Sequence, residues 1–212
     1  VSNYPKHADV INSAIALRKN LEDKAKEEEH LGGDYIRPIV LFQAQPKNDE
    51  DDVTFTNIKN SLVKAGISEE EIKIKTANLN ELKGIDLMSR DCPVRYIITI
   101  NALKEGWDCP FAYILASTAK IDVEQILGRI LRQPYTRQHD NVLLNMSYVL
   151  TSSANFHTTI DNVVESLRLS GYSRKDYVAT DTPSDNFMQP KSQLYFRNDE
   201  ALHLTYANSP VE

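Results

Sequence analysis

Apolar positions along this chain follow two periods, one helical and one of strands. From residue 7 to about 31, Val10, Ile11, Ala14, Ile15, Leu17 and Leu21 recur at helical spacing in a highly charged background, and Gly32-Gly33 follows. That pattern predicts an amphipathic helix closed by a glycine cap. After Pro38, residues 39–43 predict a short apolar strand that leaves through a loop at Gln43-Ala44-Gln45-Pro46. Phe55, Ile58, Leu62 and Val63 predict a helix over residues 54–65, stopped at Gly66. Residues 72–77 alternate Ile with Lys and suit an edge strand whose lysines oppose edge pairing. Residues 79–88 read as helix and loop. A β-branched run over 94–100 predicts a buried strand, then a turn around Gly106 that Pro110 helps to end. Residues 111–116 read as the next strand, 141–150 as another, and 154–169 as a helix ending near Gly171. Strands alternating with helices imply an α/β domain with a largely parallel sheet flanked by helices. Beyond Val178, Pro183, Pro190 and Pro210 interrupt a segment with little periodicity. An irregular tail is expected there, with at most one short strand over 193–196. The expected division is an N-terminal linker helix over 1–33, the α/β domain over 34–178, and a tail or linker over 179–212.

The octet Gln125-Ile126-Leu127-Gly128-Arg129-Ile130-Leu131-Arg132 carries more chemistry than the rest. As a helix at about 100° per residue, it gathers Gln125, Arg129 and Arg132 within an arc of roughly 60°. Val123, Ile126, Leu127, Ile130 and Leu131 take the opposite face. One side can pack into a core while the other presents two guanidiniums and an amide. A guanidinium is a permanent cation with a rigid fork of donors, suited to phosphate oxygens. An isolated Arg-x-x-Arg is ordinarily a snorkelling surface pair, so the octet needs its context.

The context is Ile97-Ile98-Thr99-Ile100-Asn101-Ala102-Leu103-Lys104-Glu105-Gly106-Trp107-Asp108-Cys109-Pro110, a strand running into a glycine turn. Here the chain resembles the second RecA-like domain of superfamily 2 helicases. Glu105-Gly106-Trp107-Asp108 looks like their motif V, and Gln125-x-x-Gly128-Arg129-x-x-Arg132 like motif VI. The wording Ala-Leu-Lys-Glu-Gly-Trp-Asp-Cys-Pro, followed by Gly-Arg-Ile-Leu-Arg-Gln-Pro-Tyr, is similar to the Res subunit of type III restriction-modification enzymes. The resemblance spans about residues 37–171, and its specific part is 97–135. It implies that residues 34–178 form a helicase C-terminal domain. It also implies that Arg129 and Arg132 act as catalytic arginine fingers, and that Gly106, Asp108, Gln125 and Gly128 line a nucleotide site. Gln43 and Asn101 become candidate DNA contacts. Two features depart from the general helicase pattern: Ile100-Asn101 stands where many members have Thr-Asp, and Glu105 replaces an arginine. Gln125 also fits a capping box with Asp122, so its amide has two equally good uses. Trp107 reads as a packing anchor.

Composition narrows the partners. The 212 residues carry a formal charge of −6, with 41% hydrophobic and 25% charged residues. That balance suits a globular domain and argues against a self-sufficient nucleic-acid binder, which ordinarily shows a basic stripe. Glu27-Glu28-Glu29 and Asp49-Glu50-Asp51-Asp52 read as solvated faces or loops rather than metal sites. Two cysteines, Cys92 and Cys109, supply neither a disulfide framework nor a zinc spacing, which suggests a reduced cytoplasmic setting. No run reaches membrane-spanning length. The opening Val1-Ser2-Asn3-Tyr4-Pro5-Lys6 has no signal-peptide core and no initiator methionine, as expected of a piece of a longer polypeptide.

The chain contains no Gly-x-x-x-x-Gly-Lys-Ser/Thr phosphate loop and no strand-borne Asp-Glu pair for Mg²⁺. Glu71-Ile72-Lys73 and Glu81-Leu82-Lys83 match only the short half of a nuclease motif, so no nuclease site is assigned. The expectation is a second motor lobe of an ATP-dependent DNA translocase. A first RecA-like lobe would hold ATP and Mg²⁺, and a methyltransferase or specificity subunit would be the partner. The alternative is a RecA-like module that binds nucleic acid or protein without ATPase activity; a phosphate-loop domain upstream would decide for the motor.

Overall fold

The computed structural model describes residues 2–3, 6–45, 54–100, 109, 111–118 and 138–152. Within them lie β1 (Ser2–Asn3), α1 (His7–His30), β2 (Ile39–Gln43), α2 (Phe55–Lys64), β3 (Ile72–Lys75), β4 (Tyr96–Thr99), β5 (Ala112–Ser117) and β6 (Tyr148–Thr151). The strands form one sheet in the order β1-β6-β5-β2-β4-β3, with every pairing parallel. All residues of β2, β4, β5 and β6 are buried, as a parallel sheet covered on both faces requires. That is why their sequences are continuous apolar runs.

Among the described residues, α1 and α2 lie on one face. The β1-to-β2 and β2-to-β3 crossovers move the same way across the sheet, and right-handed connections place α1 and α2 on the same side, where they touch. Arg18 Nε on α1 donates to Tyr96 Oη at 2.9 Å, which marks the helix side of β4. Thr99, three positions on, therefore points to the opposite side.

The residues expected to line the first helix are its buried face: Val10, Ile11, Ala14, Ile15, Leu17 and Leu21 are all at most 7% exposed. They join the same core cluster as the sheet. α1 thus packs its apolar face into the same core as the sheet, and Ser2–Asn3 adds an edge strand that the sequence pattern did not suggest. Gly32, at φ 95°, closes α1. Thr54 caps α2 by accepting from Asn57 N, and Gly66, at φ 84°, lies just beyond its end.

Two expectations are corrected. Residues 79–88 hold turns rather than a helix, because their polar side chains bond local backbone instead. Asn80 Oδ1 accepts from Leu82 N, Asp86 Oδ1 accepts from Met88 N, and Glu81 Oε2 accepts from Ile74 N at 2.7 Å. The last bond covers the open edge of β3 and assists its two lysines. Residues 141–150 split into a 3₁₀ turn at Val142–Asn145 and the strand β6. Asn141 caps the turn, and Asn145 pairs with the His139 backbone in both directions at 2.7 Å. The arginine helix, the helix over 154–169 and the tail boundary at 179 lie outside the described residues.

Candidate functional site at the carboxyl edge of the sheet

Because every strand is parallel, all carboxyl ends share one edge. Their last residues stand in register as Lys75, Thr99, Gln43, Ser117 and Thr151, so each apolar run ends on a polar side chain. From β2 the chain turns toward β3, whereas from β5 it turns the other way toward β6. The gap between the ends of β2 and β5 is thus a topological switch point, the usual place for a ligand in an open α/β sheet.

Gln43 bridges that gap. Its Oε1 accepts from Ser117 Oγ at 3.0 Å, and its main-chain oxygen accepts from both the N–H and the hydroxyl of Thr118 at 3.1 Å. On the other flank, Ala44 N donates to Thr99 O at 2.8 Å. Gln43 is 6% exposed, so its amide serves the edge from within. Thr99 Oγ1 and Thr151 Oγ1, on either side of this pair, are buried and have no hydrogen-bond partner. Buried polar atoms are nearly always satisfied, so two orphaned hydroxyls in one register row need a reason. The row offers hydroxyl donors and an amide, with no carboxylate. It suits phosphate or sugar oxygens. Near the end of β6, Ser152 Oγ lies 2.5 Å from His7 Nδ1, and burial lowers the His7 pKa.

On the helix side, Glu22 is held between Arg18 Nη1 and Arg95 Nε, each at 3.0 Å. Burial alone would raise its pKa, but Arg18, Arg95 and Lys26 together outweigh that and lower it. Burial raises the pKa of Tyr96 against the opposing pull of Arg18.

Of the residues expected to form the site, Gln43 is described and stands on this edge. Asn101, Gly106, Asp108, Gln125, Gly128, Arg129 and Arg132 lie outside the described residues. Their flanks are informative. β4 hands the chain over at Thr99 and Ile100, and ahead of β5 the oxygen of Cys109 accepts from Ala112 N at 2.9 Å. β5 ends at Ser117, and Thr118 is the last residue before the segment containing the octet. Both segments therefore depart from the carboxyl edge. Thr99, Ser117 and Thr151 were missed by the sequence reading. The available signal was a short polar residue closing each apolar run. Among the described residues, no group of three or more His, Cys, Asp or Glu is placed to hold a metal ion. No helix among them is long and apolar enough to cross a membrane.

No protein-family model matches the chain, and no curated protein matches it by sequence. Solved structures do resemble it. Dbp5 of S. cerevisiae, bound to RNA and ADP BeF3, aligns with 88% of this chain at 15% identity and a TM-score of 0.50. The chain spans 41% of that protein's length. A structure of the C-terminal domain of the DEAD-box protein Dbp5 aligns over 88% of this chain and 89% of its own, at 16% identity and a TM-score of 0.48. The shared feature is the fold. It is a RecA-like α/β lobe with a parallel sheet.

Proposed function

We propose that this chain is the second motor lobe of a superfamily 2 nucleic-acid translocase. The observation that supports this reading most is where the two motif-like segments attach. β4 leads into Glu105-Gly106-Trp107-Asp108, and β5 leads toward Gln125-x-x-Gly128-Arg129-x-x-Arg132, both from the edge that carries the switch point. In this account a first RecA-like lobe supplies the phosphate loop and the Mg²⁺ carboxylates. ATP then sits between the lobes, with Asp108 at the ribose and Gln125 and Gly128 beside the phosphates. Arg129 and Arg132 stabilise charge on the γ-phosphoryl group during transfer, a role worth about 10³–10⁵ in related systems. Asn101 contacts the nucleic acid in this account, while Gln43, 6% exposed, supports that edge from within. The finer reading, a type III restriction Res subunit working on DNA with a methyltransferase or specificity partner, rests on the wording of residues 102–110 and 128–135.

The isolated chain tests this directly. Lacking a phosphate loop and carrying net charge −6, it should show no ATPase above background and only weak, salt-sensitive nucleic-acid binding. Backbone NMR shifts on adding a short oligonucleotide should cluster at Gln43, Thr99, Ser117 and Thr151. Robust ATP turnover by the purified chain would overturn the second-lobe reading. Shifts confined to the opposite edge would favour an interaction module instead.

A further inference from the structure

The outer edge of β3 is closed by the chain itself. β3 is the outermost strand on its side of the sheet, so the backbone groups of Ile74 that point away from β4 have no strand to pair with. Residues 76–81 fold back along that edge instead. Thr76 N donates to Leu79 O at 2.7 Å, and Lys75 and Asn80 form a single antiparallel bridge. Glu81 then takes both groups of Ile74: its N–H donates to Ile74 O at 3.1 Å, and its Oε2 accepts from Ile74 N at 2.7 Å. One residue thus stands where a neighbouring strand would. It is held weakly. Residues 77–81 are all exposed, Leu79 at 40%, so the fold-back gains little from burial.

The two sides of β3 define the strand that would fit there. Ile72 and Ile74, in register with Tyr96 and Ile98, share the side that Arg18 marks, and both are buried. Lys73 and Lys75, in register with Ile97 and Thr99, take the other side. They are half-buried, and neither ammonium group has an ion-pair or hydrogen-bond partner among the described residues. Acidic groups nearby are committed elsewhere, Glu69 to Lys59 at 2.8 Å and the Glu81 carboxylate to Ile74 N. Opposite charges on neighbouring strands attract, and like charges repel. A second copy of β3 would set lysines beside lysines, whereas an extended segment alternating apolar with acidic residues matches both sides. We infer that the β3 edge is a docking site for such a segment of a partner protein, added as a further strand, and that Glu81 is its built-in competitor. Main-chain bonds supply affinity in this mode, and alternate side chains supply selectivity. The Glu81 carboxylate already offers Ile74 N the acceptor that an incoming backbone oxygen would bring, so it must leave first.

The test is a titration of the full chain with a synthetic peptide of about eight residues alternating Val with Glu, set against one alternating Val with Lys. NMR shifts from the Val–Glu peptide should centre on β3, and amide exchange at Ile74 should slow as it binds. Glu81→Ala should speed Ile74 exchange in the free chain and tighten the peptide Kd by about tenfold, because the competing closed edge is gone. Thr76→Val removes the hydroxyl that accepts from Asn78 N and Leu79 N. It should move both readings the same way, and it carries the prediction if Glu81→Ala does not fold. Lys73→Glu combined with Lys75→Glu should weaken Val–Glu binding by at least about tenfold and admit the Val–Lys peptide. No binding to the Glu81→Ala chain, an unchanged Kd in both opening variants, shifts centred away from β3, or equal affinity for the two peptides would each overturn the inference. So would self-association of Glu81→Ala in light scattering without peptide uptake, which would make Glu81 a guard against pairing with a second copy.

Discussion

The two edges of the sheet are built from opposite materials. At the amino edge, guanidiniums are spent on the protein's own backbone. Arg37, 1% exposed before β2, donates to Ser89 O at 2.6 Å and to Leu87 O, and its guanidinium lies over the Phe111 ring at 5.7 Å. Arg95, before β4, donates to the oxygens of Cys92 and Pro93 and to Glu22. At the carboxyl edge the row ends in Lys75 on the outer strand β3, while its inner members Thr99, Gln43, Ser117 and Thr151 are uncharged, and two of their hydroxyls are unmatched. Arginines bound to backbone close the amino edge, with Arg37 Nε left unmatched, whereas two unmatched hydroxyls stand in one row at the carboxyl edge. The difference separates an edge that secures the fold from one with capacity left for a ligand.

Replacing Arg37 should produce the largest loss of stability. Arg37→Ala leaves the part-buried carbonyls of Leu87 and Ser89 without this donor and opens a cavity beside Phe111, so it should cost at least about 3 kcal/mol in urea unfolding. A loss below about 1 kcal/mol would break the contrast from the amino side. Gln43→Ala should cost less, about 1–2 kcal/mol, for the lost bridge to Ser117. Thr99→Val and Thr151→Val sharpen the contrast further. Each removes an unsatisfied hydroxyl at nearly constant shape, so stability should stay within about 0.5 kcal/mol or rise. If the chain is the proposed motor lobe, the same changes in a protein carrying both lobes should weaken the coupling of nucleic-acid binding to ATP turnover. Full coupling in both variants would leave the orphaned hydroxyls without a use.

The smallest effects are in the pH profile. The folded-state pKa of Glu22 lies below its ordinary 4.5, so its contribution is complete above that value and fades as pH falls through the lower folded value. Glu22→Gln should flatten that acid limb. Burial lowers the folded pKa of His7 below 6.5, so the unfolded chain takes up the proton first and stability falls as pH drops below 6.5. His7→Asn should remove this component in thermal melts taken from pH 7 to 5.

Much of the scaffold was legible because burial writes itself as period. Ile39–Gln43 is a strand as expected, and α2 runs between a Thr54 cap and the Gly66 stop that the pattern indicated. The errors arose where side chains bond backbone locally. Asn80, Asp86, Asn141 and Asn145 turned expected regular segments into turns, and hydrophobic period does not register that competition. Long-range pairs were illegible for a different reason. Glu28 with His139, and Gln43 with Ser117, meet only once the sheet order is known. Of the site expected from sequence, Gln43 can be placed on the carboxyl edge, and the arginine pair is tested by chemistry instead.

That test is steady-state ATP hydrolysis by the two-lobed protein at saturating nucleic acid, with a melting curve for every variant. Arg132→Ala should lower turnover by at least about 10²-fold at unchanged melting temperature, and Arg129→Ala should be similarly damaging. Lysine should rescue poorly at either position, since it keeps the charge but loses the fork of donors. Arg137, outside the octet's arc, should tolerate alanine. Near-normal turnover in both Arg129→Ala and Arg132→Ala would contradict the account and leave the octet an ordinary surface helix on a RecA-like scaffold.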